Sequence, residues 1–206
     1  MRKVNLLIFF IITTLSIHSF TANAQDWIED IQHYRDSVDQ VFADPEFSIL
    51  KEEDVESFHG LSYYEINEKF RVKATFEPVD KSDYFKMKTT TERLPEYRVF
   101  GMLSFTLNGA SFTIPVYQNK ELVKRKGYEH YLFLPFTDET NYEGSYPGGR
   151  YLDFQSTDIV EGEVTLDFNR CYNPYCAYND RYSCPIPPTE NHIATKIEAG
   201  VRYDKH

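Results

Sequence analysis

The sequence predicts a mainly β protein, an antiparallel β-sandwich or barrel preceded by an N-terminal amphipathic helix. Three observations lead to this prediction: apolar residues at helical spacing near the start, later runs in which apolar and polar residues alternate, and one Asn-Gly pair between two such runs. A period near 3.6 is typical of a helix with one buried face, and a period of two is typical of a half-buried strand.

The first element is a secretory signal, residues 1–24. A positively charged start precedes the apolar run Val4–Ile17, and the small residues Ala22 and Ala24 then stand at positions −3 and −1 of a cleavage site. This three-part pattern predicts export to the periplasm or beyond, with cleavage after Ala24 and no membrane attachment afterwards. Gln25 follows the site in place of the cysteine that a lipid-anchored lipoprotein needs.

Net charge limits the partners of the chain. The formal net charge is −10, and cleavage would remove two basic residues and no acid, so the mature chain would carry −12. A surface this acidic repels phosphate backbones, and nucleic acid is therefore not predicted as a partner. The length of residues 25–206 suits a single β-rich domain.

One amphipathic helix is predicted over about residues 26–43. Asp26 with Glu29 three residues later resembles a capping box, and Pro45 follows the last turn. The apolar residues that recur at helical spacing are Trp27, Ile28, Ile31, Tyr34, Val38, Val41 and Phe42. A second short helix is expected around Leu50–Phe58, within an acidic stretch.

Strands are expected from about residue 61 onward. The clearest pair flanks Asn108-Gly109, which is the strongest short hairpin signal because both turn positions need positive φ. The runs predicted as strands are 70–76, 84–90, 97–107, 111–117, 131–136, 150–154, 159–168 and 193–198.

Two unusual loops interrupt these strands. Thr137–Gly149 is rich in Asp, Asn, Gly and Pro and is predicted to be exposed, and Asp167–Asn191 holds all three cysteines with four tyrosines and four prolines. Function that depends on loops is expected in these two segments.

The cysteines favour a disulfide over chemistry. Cys176 and Cys184 are separated by seven residues in a chain predicted to be exported, so a bond between them is the simplest interpretation. Cys171 is left over, and it could instead pair with Cys176, stay free or bridge a dimer. The spacing matches no zinc site, His192 alone is a nearby ligand, and no metal or other cofactor is predicted. A nucleophilic Cys171 next to Arg170 is a further alternative.

Carboxylates supply the candidates for catalysis. Those in or beside the two loops that we consider for proton transfer are Asp138, Asp153, Asp167 and Glu190. The competing interpretation is that these acids accept hydrogen bonds from turns and from Arg150 or Arg170. No phosphate-binding glycine loop, nucleophile-elbow serine or zinc-protease histidine pair is present, and whether the protein is an enzyme stays open.

The two loops resemble a known family. The residues that carry the resemblance are Phe136-Thr137-Asp138-Glu139-Thr140-Asn141, Tyr146, Gly149-Arg150-Tyr151-Leu152-Asp153, Asp167-Phe168-Asn169-Arg170, Tyr172-Asn173-Pro174, Cys176-Ala177-Tyr178, Cys184-Pro185, Pro187-Pro188 and Glu190-Asn191, with Phe58, Gly60-Leu61, Gly101 and Phe105 before them. This string is similar to the bacterial domain of unknown function 1684, in its exported members. The resemblance implies no activity, but it implies that the two loops belong to one motif and meet in space.

Three functions compete on this evidence. The first is a cell-envelope module that binds a polar or carbohydrate-like ligand through the 137–153 and 167–191 loops, with aromatic faces beside fixed polar groups. The ligand-binding candidates are Tyr146, Arg150, Tyr151, Asn169, Arg170, Tyr172 and Asn173. The second is a carboxylate-dependent hydrolase, and the third is a structural motif in which Asn and Arg side chains tie the loops together. Neither the ligand nor the oligomeric state follows from the sequence.

Overall fold

The computed structural model describes residues 25–203. The predicted signal peptide, 1–24, lies outside the described residues. The described residues divide into two compact units, with the boundary between Val38 and Asp39. Within the part that the structure describes, no helix is long and apolar enough to span a membrane.

The N-terminal helix α1 spans residues 25–43, which confirms the helix predicted from the apolar spacing. In the first unit, its exposed face carries side-chain hydrogen bonds one turn apart, from Gln25 to Glu29 and from Gln32 to Asp36, each at 2.9 Å. Such pairs at i and i+4 stabilise a helix by a few tenths of a kcal/mol, roughly 0.2–0.5.

The second unit begins with the end of α1 and continues through a turn into a short helix. The Asp44 carboxylate accepts a hydrogen bond from the Glu46 backbone N–H at 2.9 Å, which holds the turn after α1. The second predicted helix is a single turn, α2, at Glu52–Val55.

The strands form one curled, mainly antiparallel sheet, a half-barrel. Their bounds are β1 Arg71–Pro78, β2 Phe85–Lys86, β3 Glu96–Leu107, β4 Ala110–Asn119, β5 Tyr131–Asp138, β6 Arg150–Gln155, β7 Glu163–Asp167 and β8 His192–Ile193. The main order is β6-β5-β4-β3-β1-β7, with β2 beside β3 and β8 beside β5. The mainly β class is confirmed, but a sandwich is not confirmed, because all the named strands belong to one sheet.

The hairpin between β3 and β4 forms where the sequence predicts it. Asn108 and Gly109 have φ of 51° and 80°, and Leu107 pairs with Ala110 across the turn. A two-residue turn with both φ positive matches the right-handed twist of the flanking strands.

Three predicted strands are shorter than expected. β7 begins only at Glu163, because Glu161 and Gly162 adopt positive φ and form a turn. The run at 84–90 contains only the two-residue strand β2, and the run at 193–198 contains only Ile193, the last residue of β8. Strand β8 pairs parallel with the end of β5, so the sheet is not purely antiparallel.

Strand β5 is buried on both faces, and this divides the core in two. Leu132, Leu134 and Phe136 belong to the main apolar cluster, whereas Phe133 belongs to a smaller cluster rich in tyrosine. Alternate side chains of a strand point to opposite faces, so the two clusters lie on either side of the sheet at this strand.

Candidate functional site

A buried ion pair joins the ends of β5 and β6. Arg150 Nη2 lies 3.0 Å from Asp138 Oδ1, and neither side chain has any exposed surface. Arg150 also donates to the carbonyls of Ile197, at 2.7 Å, and Ala199, at 2.5 Å. The second oxygen of Asp138 accepts from the Ile197 N–H at 2.8 Å. The pair therefore ties the 137–149 loop to the C-terminal segment.

Hydroxyl groups complete this cluster. Thr140 Oγ1 lies 2.8 Å from Asp138 Oδ2 and 2.7 Å from Ser145 Oγ, and all three side chains are buried. A carboxylate with this many hydrogen-bond donors has both oxygens occupied and is poorly placed to contact a substrate. The arrangement around Asp138 is that of a structural tie.

Asp167 and Asn169 form a second tie at the end of β7. Asp167 Oδ1 accepts from the backbone N–H of Asn169, at 3.1 Å, and from its side-chain amide, at 2.9 Å. The same amide of Asn169 exchanges hydrogen bonds with both backbone groups of Asn67. Arg170 is half-buried at the end of this 3₁₀ turn, Phe168–Arg170.

Asp153 on β6 is placed differently from the other candidate acids. Its Oδ2 accepts a hydrogen bond from the Tyr172 hydroxyl at 2.5 Å, and the Tyr131 hydroxyl also hydrogen-bonds to the carboxyl group. Its Oδ1 is buried and has no hydrogen-bond partner. Burial raises the pKa of Asp153 to about 6, against the lowering effect of the two tyrosine hydrogen bonds.

Aromatic rings surround this carboxyl group. Tyr151 contacts Phe133 and Tyr172 edge to face, with ring centroids 4.7 Å and 5.7 Å apart, and its hydroxyl donates to the Pro185 carbonyl. The backbones of Tyr151 and Tyr172 also pair with each other. The 167–191 segment thus covers the outer edge of β6 and encloses Asp153.

Glu190 lies apart from these groups, on an exposed 3₁₀ turn, Thr189–Asn191. The Tyr117 hydroxyl lies 3.3 Å from Glu190 Oε1 and donates to Asn191 Oδ1 at 2.8 Å. Glu190 thus shares its hydrogen-bonding surroundings with Tyr117, whereas Asp138 is paired with Arg150 and Asp167 with Asn169.

The predicted disulfide between Cys176 and Cys184 is not formed. None of the three cysteines, all of which belong to the described residues, has its sulfur bonded to another sulfur. The Cys176 backbone N–H donates to Cys184 Sγ at 3.2 Å, so Cys184 Sγ lies beside Cys176 without an S–S bond. Cys171 is buried, with its Sγ 3.4 Å from the Ala199 carbonyl. Residues 25–203 contain no cluster of three or more His, Cys, Asp or Glu side chains that could hold a metal ion.

The two loops meet at a groove beside the C-terminal segment. We call it the Arg202 groove, because two adjoining cavities of about 680 Å³ and 290 Å³ share Arg202 and Tyr203 in their walls. The larger cavity is lined also by Leu50, Asp54, Ser57, Phe58, His59, Gly60, Leu61, Ser62, Ala177 and Tyr178. The smaller one is lined also by Tyr142, Glu143, Gly144, Ser145 and Pro147.

Backbone hydrogen bonds fix the wall that the two cavities share. The Arg202 N–H donates to the Ser62 carbonyl at 2.8 Å, and the Tyr203 N–H donates to the Gly144 carbonyl at 3.1 Å. The Asn173 side chain donates both to the Arg202 carbonyl and to the Tyr178 hydroxyl, each at 3.0 Å. The Arg202 groove is thus built from backbone that is already held in place.

Tyr146 and Asn173, two predicted ligand-binding residues, lie behind this wall. The Tyr146 ring contacts the Tyr203 ring edge to face at 5.0 Å, and burial raises the pKa of Tyr146 to about 12. Asn173 is buried, and its Oδ1 has no hydrogen-bond partner. These residues support the groove, and neither of them lines it.

The sequence did not predict several residues around Asp153 and in the Arg202 groove. The sequence predicts Tyr131 only as part of a strand and assigns no role to Arg202 or Tyr203. One signal was available: Phe58 and Gly60-Leu61 belong to the family-like pattern, and they line the Arg202 groove. They lie more than a hundred residues from Arg202 in sequence, so only the fold shows that they meet it.

Comparisons with known proteins agree with the resemblance seen in the sequence. A family model described as "Protein of unknown function (DUF1684)" matches residues 56–202. The solution NMR structure of an uncharacterized protein of Haloarcula marismortui is similar, with 34% sequence identity and a TM-score of 0.67, over 88% of this chain and 96% of that one. No protein with a curated description matches the chain.

Proposed function

The chain belongs to the DUF1684 family, and we propose that it is an exported protein that binds a polar or carbohydrate-like ligand in the Arg202 groove. The observation that carries the proposal is the groove itself, at the place where the 137–153 and 167–191 loops meet the C-terminal segment. The larger cavity, at about 680 Å³, is of the size that small-molecule sites have, about 300–1,000 Å³.

The walls of the groove combine aromatic faces with fixed polar groups. Phe58, Tyr178 and Tyr203 offer rings, and Tyr142 is 77% exposed at the smaller cavity. A tyrosine ring presents an apolar face for stacking and a hydroxyl edge for hydrogen bonding, which suits a sugar ring or a similar polar ring. This mixture favours a ligand with both apolar faces and hydroxyl groups.

Charges of both signs line the groove, which favours a polar ligand over an apolar one. Arg202 contributes a guanidinium group near the Tyr64 ring, 5.5 Å from its centroid, and Asp54 and Glu143 contribute carboxylates. Glu143 is also paired with Lys196, at 2.6 Å, and this contact lowers the pKa of Glu143. A neutral ligand with several hydroxyl groups can hydrogen-bond to both signs.

Titration with two defined disaccharides tests the proposal. Amide NMR spectra of the protein would be followed with diacetylchitobiose and with cellobiose, and we expect saturable shifts at groove residues for at least one of them. Tyr142→Ala and Arg202→Gln should each weaken binding about tenfold, equivalent to about 1.4 kcal/mol, because each removes one contact from a preformed wall.

Tyr128→Ala is the matched control, because Tyr128 is 46% exposed and lines neither cavity. It should bind as the wild type does. Equal loss of binding in the control, or the absence of saturable shifts with both sugars, would count against the groove as the site.

Asp153 favours a second candidate function, a hydrolase. A carboxyl group with a pKa of about 6 and an unpartnered buried oxygen can carry a proton near neutral pH, as a general acid requires. Hydrolysis of nitrophenyl glycosides that disappears in Asp153→Asn, yet persists in Tyr142→Ala, would favour this candidate over the binding protein.

A further inference from the structure

Cys176 and Cys184 form a thiol pair that the proposed ligand site does not use. Cys176 is half-buried, Cys184 is only 6% exposed, and the Cys176 backbone N–H donates to Cys184 Sγ at 3.2 Å. Cys171 is buried elsewhere, against Ala199. The chain therefore has one pair of adjacent thiols and one thiol outside it.

Three polar groups lie near the sulfur of Cys176. They are the hydroxyls of Thr90 and Tyr146 and the Cys184 thiol, whose sulfur accepts from the Cys176 backbone N–H at 3.2 Å. Donors of this kind stabilise a thiolate, which is the reactive form of cysteine. In agreement with this geometry, the Cys184 hydrogen bond, opposed by burial and aided by the two hydroxyls, lowers the pKa of Cys176 to about 6.

The backbone around each cysteine is anchored separately. The Cys184 carbonyl accepts from the Thr90 N–H at 2.9 Å, and the Cys184 N–H donates to Thr90 Oγ1 at 3.1 Å. Cys176 lies in the 3₁₀ turn Tyr175–Ala177, which the Ala177 N–H closes onto Pro174 at 2.8 Å. Two separately anchored segments thus hold Cys176 and the Cys184 sulfur as neighbours.

We propose that Cys176 and Cys184 form a thiol–disulfide exchange site that reacts with small-molecule disulfides. The Cys176 thiolate attacks one sulfur of the disulfide, a mixed disulfide forms, and one thiolate leaves. Cys184 then loses its proton, and its sulfur attacks Cys176, so that the second thiol leaves and an internal disulfide remains. The protein dithiol loses two electrons, and the small disulfide is reduced to two thiols.

This site differs from a permanent structural disulfide. Cys176 is only half-buried, and the polar groups around it stabilise the thiolate, which is both the attacking group and the leaving group when the internal bond is reduced again. The inference does not depend on the ligand of the Arg202 groove.

Reaction of the reduced, native protein with dithiobis(nitrobenzoate) tests the exchange. We expect two thionitrobenzoate ions released rapidly per chain and, by mass spectrometry, no thionitrobenzoate retained on the protein, because Cys184 displaces the second one. The product should regain its two thiols with dithiothreitol under native conditions.

Single-cysteine variants distinguish the two roles. Cys184→Ser should release one thionitrobenzoate ion and retain one thionitrobenzoate group on Cys176. Cys176→Ser should react at least about tenfold more slowly than the wild type. Cys171→Ser is the matched control and should behave as the wild type. Retention of thionitrobenzoate by the wild type, or an undiminished rate in Cys176→Ser, would overturn the proposal.

Variants at Thr90 change a quantity that a purely structural role would leave unchanged, the pH midpoint of the Cys176 reaction. Thr90→Val should shift the pH midpoint of the Cys176 reaction upward, and Thr90→Ser should restore it, because only the hydroxyl is needed. A midpoint that is the same in all three proteins would contradict the role of Thr90 in activating Cys176. Thiol counts in denaturant would verify that each variant contains the expected number of free cysteines.

Discussion

Asp138 and Asp153 lie on neighbouring strands and are both withdrawn from water, but their partners differ. Asp138 faces the Arg150 guanidinium group, the Thr140 hydroxyl and two backbone N–H groups, so its charge is matched. Asp153 faces only phenol groups, and one of its oxygens has no partner. A buried carboxylate without a matching positive charge gains protons more easily, so the two aspartates have different chemistry.

Removing Arg150 should destabilise the protein strongly. Arg150→Met leaves Asp138 as an uncompensated buried charge, and we expect the free energy of unfolding to fall by about 3–5 kcal/mol. The double variant Arg150→Met with Asp138→Asn should recover part of this loss. Urea denaturation followed by circular dichroism would measure both.

An exposed ion pair serves as the control for this prediction. Lys124 and Glu121 lie 2.7 Å apart with most of their surface exposed, and Lys124→Met should cost at most about 1 kcal/mol. If Lys124→Met costs as much as Arg150→Met, burial is not what makes the Arg150 pair important.

Asp153 should make stability depend on pH. Because its pKa is raised in the folded protein from 3.8 to about 6, the protonated form stabilises the fold below about pH 4, and this stabilisation is lost as pH rises through about 6. The difference corresponds to about 3 kcal/mol at most. As pH rises from 4 to 7, the stability of Asp153→Asn relative to that of the wild type should therefore increase.

Unfolding in urea at pH 4 and pH 7 would measure the difference in free energy of unfolding between the wild type and Asp153→Asn. Taking this difference cancels the titration of all other groups. Asp180→Asn, at an exposed position, is the control and should track the wild type. A constant difference between wild type and Asp153→Asn would mean that Asp153 titrates in the ordinary range.

At the scale of elements, local patterns predicted the strands well where turn chemistry accompanied them. The β3–β4 hairpin forms around Asn108-Gly109 because both residues can adopt positive φ, and its strands agree with the prediction within about three residues. The 137–149 loop was predicted to be exposed, yet Thr140 and Ser145 are buried in it. Their burial depends on Arg150 and on carbonyls near residue 199, and no local pattern encodes contacts over such separations.

The close pairing of β1 with β3 depends on the absence of a side chain at Gly101. A Cβ there would lie 2.2 Å from the Phe76 ring and 2.8 Å from the Glu77 carbonyl, next to an irregularity in the β3–β4 register. Gly101→Ala should therefore destabilise the sheet by about 1–3 kcal/mol through overpacking. Thermal unfolding of the variant would show the loss.

Two further variants separate steric overlap from backbone strain. Phe76→Ala combined with Gly101→Ala should be less destabilised than the sum of the two single changes, because the ring is the nearest obstacle. Gly109→Ala meets no atom within 4 Å but has φ of 80°, so it should cost only about 1 kcal/mol. Additive effects at positions 76 and 101 would argue against the overlap.

At the scale of the molecule, the chain brings together segments that are distant in sequence. The C-terminal segment pairs with residues 62–64 on one side and accepts Arg150 and Cys171 on the other. The Arg202 groove, the Asp138 ion pair and the core around Phe168 consequently share one segment. A change in this segment is therefore expected to affect stability and ligand binding together, whereas a change at Asp153 or Cys176 can be studied separately.

Export is a prediction about the whole chain, and it can be tested without knowledge of the ligand. When the full sequence is produced in a bacterium, the protein should leave the cytoplasm and begin at Gln25, because Ala22 and Ala24 suit signal peptidase. Intact-mass analysis of the extracytoplasmic fraction would identify the cleaved chain. Ala24→Leu should block cleavage, whereas Asn23→Leu should not, because the residue between the two alanines can vary. A product that keeps Met1 in the cytoplasm in all three cases would mean that residues 1–24 are not a signal peptide.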